Sequence, residues 1–159
     1  MEDKTMDIVA LIISIFALGL SIVQFLRDSS RQKKEATLTA YNELQNDVFS
    51  EYNNYKTSIE KVEYPSGDWE KITTWLAKLE RFSVGINTGI YSIHILNRLG
   101  GAYYIRLFET LMPIIDKKRG INLSPGKHYD EFEKTVNKLK HIRNLKKRSE
   151  EQQDSKATD

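Results

Sequence analysis

Residues 8–26 read IVALIISIFALGLSIVQFL and carry no charged side chain. As a helix rising ~1.5 Å per residue this run is about 28 Å long, close to the ~30 Å hydrocarbon core of a bilayer. A helix in the core of a soluble domain rarely runs so far without a charge. A cleavable leader would need a basic start, a shorter apolar stretch and a small-residue cleavage site. Here Glu2, Asp3 and Asp7 precede the run with only Lys4 among them, and it ends in Gln24, Phe25 and Leu26. The sequence therefore predicts a retained transmembrane anchor. Arg27, Arg31, Lys33 and Lys34 follow it, against Asp28 and Glu35. The basic flank stays on the cytoplasmic side. The expected layout is a single-pass protein of the inner (plasma) membrane. Residues 1–7 form a short outward N-terminus, 8–26 the transmembrane helix, 27–148 a cytosolic helical domain and 149–159 a disordered polar tail.

The run is not uniformly greasy. Ala10, Ser14, Ala17, Ser21 and Gln24 are spaced 4, 3, 4 and 3 residues apart, and Asp28 continues the line. At ~100° per residue the first five fall within an arc of about 80°. Lipid cannot satisfy a Gln amide, so the stripe is expected to face protein or water. Two uses fit it: close packing of small residues between helices, or the lining of a narrow pore in an oligomer. Serine can also bond back to a carbonyl four residues earlier, which lessens its need of a partner.

The rest of the chain reads as helix, giving an all-α class: the anchor continues into a cytosolic bundle of about four helices. Prolines occur only at Pro65, Pro113 and Pro125, and no segment alternates long enough for a strand. Leu38, Tyr41, Leu44, Val48, Tyr52, Tyr55, Ile59 and Val62 mark a first apolar seam. After Pro65, with Ser66 or Asp68 as cap, a second face carries Trp69, Ile72, Leu76, Leu79, Phe82 and Ile86. Gly85 and Gly89 make either a packing contact or a helix stop, the latter with Gly89 left-handed and Ile90 as its apolar latch. Ser92 caps a short helix to Leu99, Gly100 and Gly101 interrupt it, and a helix from about Ala102 to Lys118 follows. A last helix starts near Tyr129 and carries Phe132, Val136, Leu139 and Ile142.

The chemistry is sparse. There is no cysteine, which excludes disulfides and thiolate metal sites. His94, His128 and His141 lie far apart and form no ligand spacing. No phosphate-binding glycine loop and no nucleophile motif is present. No catalytic residue, metal site or cofactor is expected. Overall charge is nearly balanced, with 24 Lys and Arg against 22 Asp and Glu. The exception is 134–148, which is basic and free of acids. On a helix Lys134, Lys138 and His141 form one ribbon and Lys140 and Lys147 a second on the other side of the apolar stripe, with Arg143 in the same run, and Lys117, Lys118 and Arg119 can approach from the preceding helix. Such a face fits nucleic-acid or nucleotide phosphates, anionic lipid headgroups, or plain solvent. Arg81, Arg98 and Arg106 stand among apolar residues and can pair with Glu80 or Glu109, or turn inward.

The stretch LERFSVGINTGIYSIHILNRLGGAYYIRLFETLMPIIDKKR resembles the core of an uncharacterised bacterial family of single-pass, membrane-anchored, all-helical proteins. The matching features are an apolar-aromatic helix at 79–82, a glycine-punctuated turn at 85–89, a short helix at 92–99 and a helix ending in Pro113 and Arg119. In layout the likeness covers about residues 35–145. The layout is also similar to that of transmembrane effectors of bacterial phage-defence operons, such as the Hailong type. That resemblance implies a homo-oligomeric ion channel in the bilayer, gated by a nucleotide or oligonucleotide, with a nucleotidyltransferase as partner. The other reading is a non-enzymatic anchored scaffold whose helical domain binds a protein partner.

Overall fold

The computed structural model describes residues 2–52, 66–121 and 128–157. The fold is all-α, and the described residues form four helices. Helix α1 spans Glu2–Leu44 and continues through a π-turn, Gln45–Phe49, to residue 52. Helices α2, Ser66–Asn87, α3, Ile93–Ile121, and α4, Asp130–Ala157, follow.

The bundle is up-down-up-down. Lys71 reaches Glu51 and Lys78 reaches Asp47, so α2 runs antiparallel to α1. The Ser92 amide bonds to Thr37, and Tyr103 packs on Phe49 and Tyr52, so α3 runs parallel to α1. Arg119 meets Glu133 while Arg143 meets Asn97, so α4 returns antiparallel to α3. The core is the set of apolar faces the period of 3.6 picks out: Trp75, Leu76 and Leu79 of α2, Tyr104, Leu107 and Leu111 of α3, and Phe132, Val136 and Leu139 of α4. From α1, Leu44, Val48, Phe49 and Tyr52 join them. The π-turn, in which the Ser50 N–H reaches the Gln45 carbonyl, turns Val48 and Phe49 inward together. Tyr55, Ile59 and Val62 of the predicted seam lie outside the described residues, as does Pro65.

One local expectation changes. Gly89 does stop α2, with φ 83°, and the Gly89 and Tyr91 N–H groups donate to the Ile86 and Gly85 carbonyls. Ile90, however, is 60% exposed and latches nothing. Tyr91 takes that place, stacked on Phe82 and lying so close over Gly85 that a Cβ there would run into its ring. Gly85 is thus a packing glycine and Gly89 a stop. At Gly100, with φ −173° and ψ 32°, α3 kinks between two helical stretches, as the glycine pair predicts, and the Tyr41 hydroxyl occupies the space of a side chain there. Helix α4 is helical from Asp130 to Ala157.

The first half of α1 is an arm that leaves the bundle. Every described side chain from Leu11 to Glu35 is exposed, including Phe16 at 71% and Phe25 at 72%. Among the described residues no helix is long and apolar enough to cross a membrane. The side chains described in the uncharged run are Leu11 and those from Ile13 onward, so the predicted span 8–26 reaches beyond them.

Candidate functional site

Two regions hold the residues singled out above. The first is the stripe on the arm of α1. Ser14, Ala17, Ser21, Gln24 and Asp28 are all exposed, and no other described helix covers them; the side chain of Ala10 lies outside the described residues. The Ser21 hydroxyl donates to the Ala17 carbonyl at 2.9 Å, the back-bond open to a helical serine. Gln24 and Asp28 line a cleft of about 670 Å³, together with Val23, Leu26, Arg27, Ser30, Arg31 and Lys34.

The second region is the basic run of α4, which the helix divides between the α2 side, with Lys138, and the α3 side, with Lys140 and Arg143. Its charges are engaged by neighbours. Lys134 pairs with Glu131 at 2.6 Å, and Lys140 with Glu109 at 2.7 Å. Lys138 donates to the Asn87 amide oxygen at 2.7 Å and Arg143 to that of Asn97 at 3.2 Å. His141 and Lys147 are exposed. The Lys134 hydrogen bond, with help from Asn87, holds the Glu131 carboxyl below its ordinary range and raises Lys134 in return. An anion arriving here competes with these partners. Lys117, Lys118 and Arg119 lie at the far end of the bundle, where Lys118 and Arg119 meet the start of α4. Arg119 bonds Glu133 at 2.7 Å and the His128 carbonyl at 3.0 Å. The Lys117 and Lys118 ammonium groups lie 5.4 and 5.5 Å from the Trp69 ring centre, and partial burial lowers Lys118. Arg81, Arg98 and Arg106 are exposed and do not turn inward.

Sequence reasoning missed three polar devices. Glu80 on α2 accepts the Glu131 and Phe132 N–H groups at 3.1 and 2.8 Å and so caps α4 from another helix. Asn87 bonds Glu131 and Thr135, tying the same two helices further along. The buried Tyr104 hydroxyl pairs with Ser83 at 2.8 Å and donates to the Leu79 carbonyl at 3.2 Å. These links join residues far apart in the chain, and no local signal marks them. The Tyr103 hydroxyl is buried without a hydrogen-bond partner, beside Phe49 and Tyr52 at the π-turn.

No curated protein and no solved structure matches the chain significantly. One family does match, over residues 5–139, which takes in both the arm of α1 and the bundle down to Leu139 of α4. The chain belongs to the family described as a domain of unknown function, DUF4760.

Proposed function

We propose that the protein is a membrane-anchored, non-catalytic helical module that works by association: the arm of α1 holds it in the bilayer and the four-helix bundle presents a cytoplasmic face. The observation that carries this reading is the arm itself. Ten large apolar side chains between Leu11 and Leu26 stand more than half exposed, on every side of one helix. Leaving that area in water would forgo about 25 cal/mol per Å², so a bilayer or a set of copies covers it. The arm and the bundle also fall within one family match. The test is fractionation of the full chain. It is expected to resist carbonate extraction from membranes, and Phe16→Asp with Leu20→Asp to release it. A wild-type chain that is monomeric in the soluble fraction overturns the anchor.

The stronger form of the proposal is a gated homo-oligomeric pore, the effector role that the resemblance implies. Its support is the polar stripe, whose Ser14, Ala17, Ser21, Gln24 and Asp28 are spaced along one face of the arm and stand exposed. With no native cysteine, a single cysteine at Ser14 or Ser21 can be probed cleanly. Reaction with water-borne thiol reagents in an assembled oligomer supports a wet pore. Silence at both positions leaves an anchored scaffold with a dry seam.

A further inference from the structure

Helix α1 is polarised along its length. Arg27, Arg31, Lys33 and Lys34 follow the apolar run, whereas Glu43, Asp47 and Glu51 lie further along, on the outer side of the part that packs in the bundle. The turn between α2 and α3 closes the bundle on the arm side, where Gly89 lies by the Lys33 ammonium and the Ser92 amide bonds to Thr37. Helix α4 leaves by that same end. The acids there are Asp28 and Glu35 in α1 and, in the sequence of the last turns of α4, Glu150, Glu151 and Asp154.

The cleft against α1 sits at the border of these regions. Its described lining comes from α1 alone: Val23 and Leu26 are apolar, Arg27, Arg31 and Lys34 cationic over two helical turns, and Gln24, Asp28 and Ser30 polar, so that three bases stand against one acid. Arg31 gives only its Nε to Glu35, at 3.0 Å, and a guanidinium has five N–H donors in all. An occupant that satisfies the whole cleft needs an anionic head and an apolar body in continuity. A free nucleotide would leave Val23 and Leu26 wet; a hydrocarbon would leave the bases without an anion. We propose that this cleft is a binding site for an anionic phospholipid. The phosphate lies among Arg27, Arg31 and Lys34, and an acyl chain lies along Val23 and Leu26. The proposal rests on the anchor reading given above.

The test uses the full chain in nanodiscs of phosphatidylcholine, with and without phosphatidylglycerol, and counts retained lipids by native mass spectrometry. Phosphatidylglycerol is expected to be retained in preference. The triple variant Arg27→Gln, Arg31→Gln, Lys34→Gln is expected to cut that preference about tenfold or more, since each base near an anionic surface adds to lipid affinity. Flotation with vesicles of both compositions reports the anchor separately. A chain that floats with both, yet shows no lipid preference or keeps it in the triple variant, overturns the lipid site and leaves the anchor standing. A chain that floats with neither overturns both. Displacement of the lipid by inorganic phosphate or an oligonucleotide, with equal binding in phosphatidylcholine alone, overturns the lipid assignment in favour of a soluble anion.

Discussion

Replacing Glu80 by Ala should unlatch the start of α4. That helix begins at Asp130, and the residue before it is Tyr129, at φ 66°. Tyrosine has no short polar side chain with which to cap the first N–H groups. Glu80 supplies both oxygens from α2, at 3.1 Å to Glu131 N and 2.8 Å to Phe132 N. Loss of an N-cap costs about 0.5–2 kcal/mol, and a carboxylate at a helix N-terminus adds about 0.3–1 kcal/mol. Glu80 is only half-buried, so water can reach the orphaned amides and the low part of the charge-assisted range applies. The expected loss is about 2 kcal/mol, or roughly 4–8 °C in melting temperature for a chain of this size. Glu80→Gln keeps one good acceptor and should lose about half as much. The assay is thermal melting of the full chain in mild detergent, with amide exchange at Glu131 and Phe132 as the local readout. Equal losses for Ala and Gln, or a loss below about 0.5 kcal/mol with both amides still protected, would refute the cap.

Gly85→Ala gains about 1 kcal/mol of helix propensity but overpacks against the Tyr91 ring, which costs about 1–3 kcal/mol. It should destabilise the wild type and stabilise a Tyr91→Ala background, and a melting-temperature cycle reads that change of sign. Thr37 is fully buried and accepts the Ser92 N–H at 2.8 Å. Thr37→Val should lower stability by about 1–3 kcal/mol, because it strands that amide; denaturation of the two chains compares them. Burial pushes the Tyr104 phenol well above its ordinary value, so the folded chain holds that proton more tightly than the unfolded one. Its contribution is therefore complete below about pH 10 and is lost as pH rises beyond it. Melting temperatures above pH 10 should fall more steeply for the wild type than for Tyr104→Phe.

The helices and their buried faces were legible because their signal is local. An apolar residue every third or fourth place marks Ile72, Leu76, Leu79 and Phe82 as one face whatever lies opposite. The continuous helix through the uncharged run was legible in the same way, since no Gly or Pro breaks 27–37. The basic stretch of α4 misled in part for the same reason. The sequence shows that 134–148 lacks acids, yet the groups that occupy its charges come from elsewhere: Glu109 and Asn97 from α3, and Asn87 from α2. The sequence offers Glu80 as an arginine partner, whereas its carboxylate accepts from backbone amides 51 and 52 residues away. The π-turn left no trace in the pattern, since Val48 and Phe49 read as one seam position and its neighbour.

Arm and bundle share α1 without a break. A helix of this kind transmits bending poorly and tilting well. From the end of the apolar run at residue 26 to the π-turn at residue 49 the axis is about 35 Å long at ~1.5 Å per residue. A 10° tilt of the arm about residue 26 therefore sweeps the far end of the bundle through about 6 Å. The same tilt moves the α2–α3 turn, some 10 Å from the pivot, by only about 2 Å. The chain is a lever with its fulcrum at Arg27. Events at the bundle's far end, around Trp69, Lys118 and Arg119, act on the arm with the greater mechanical advantage.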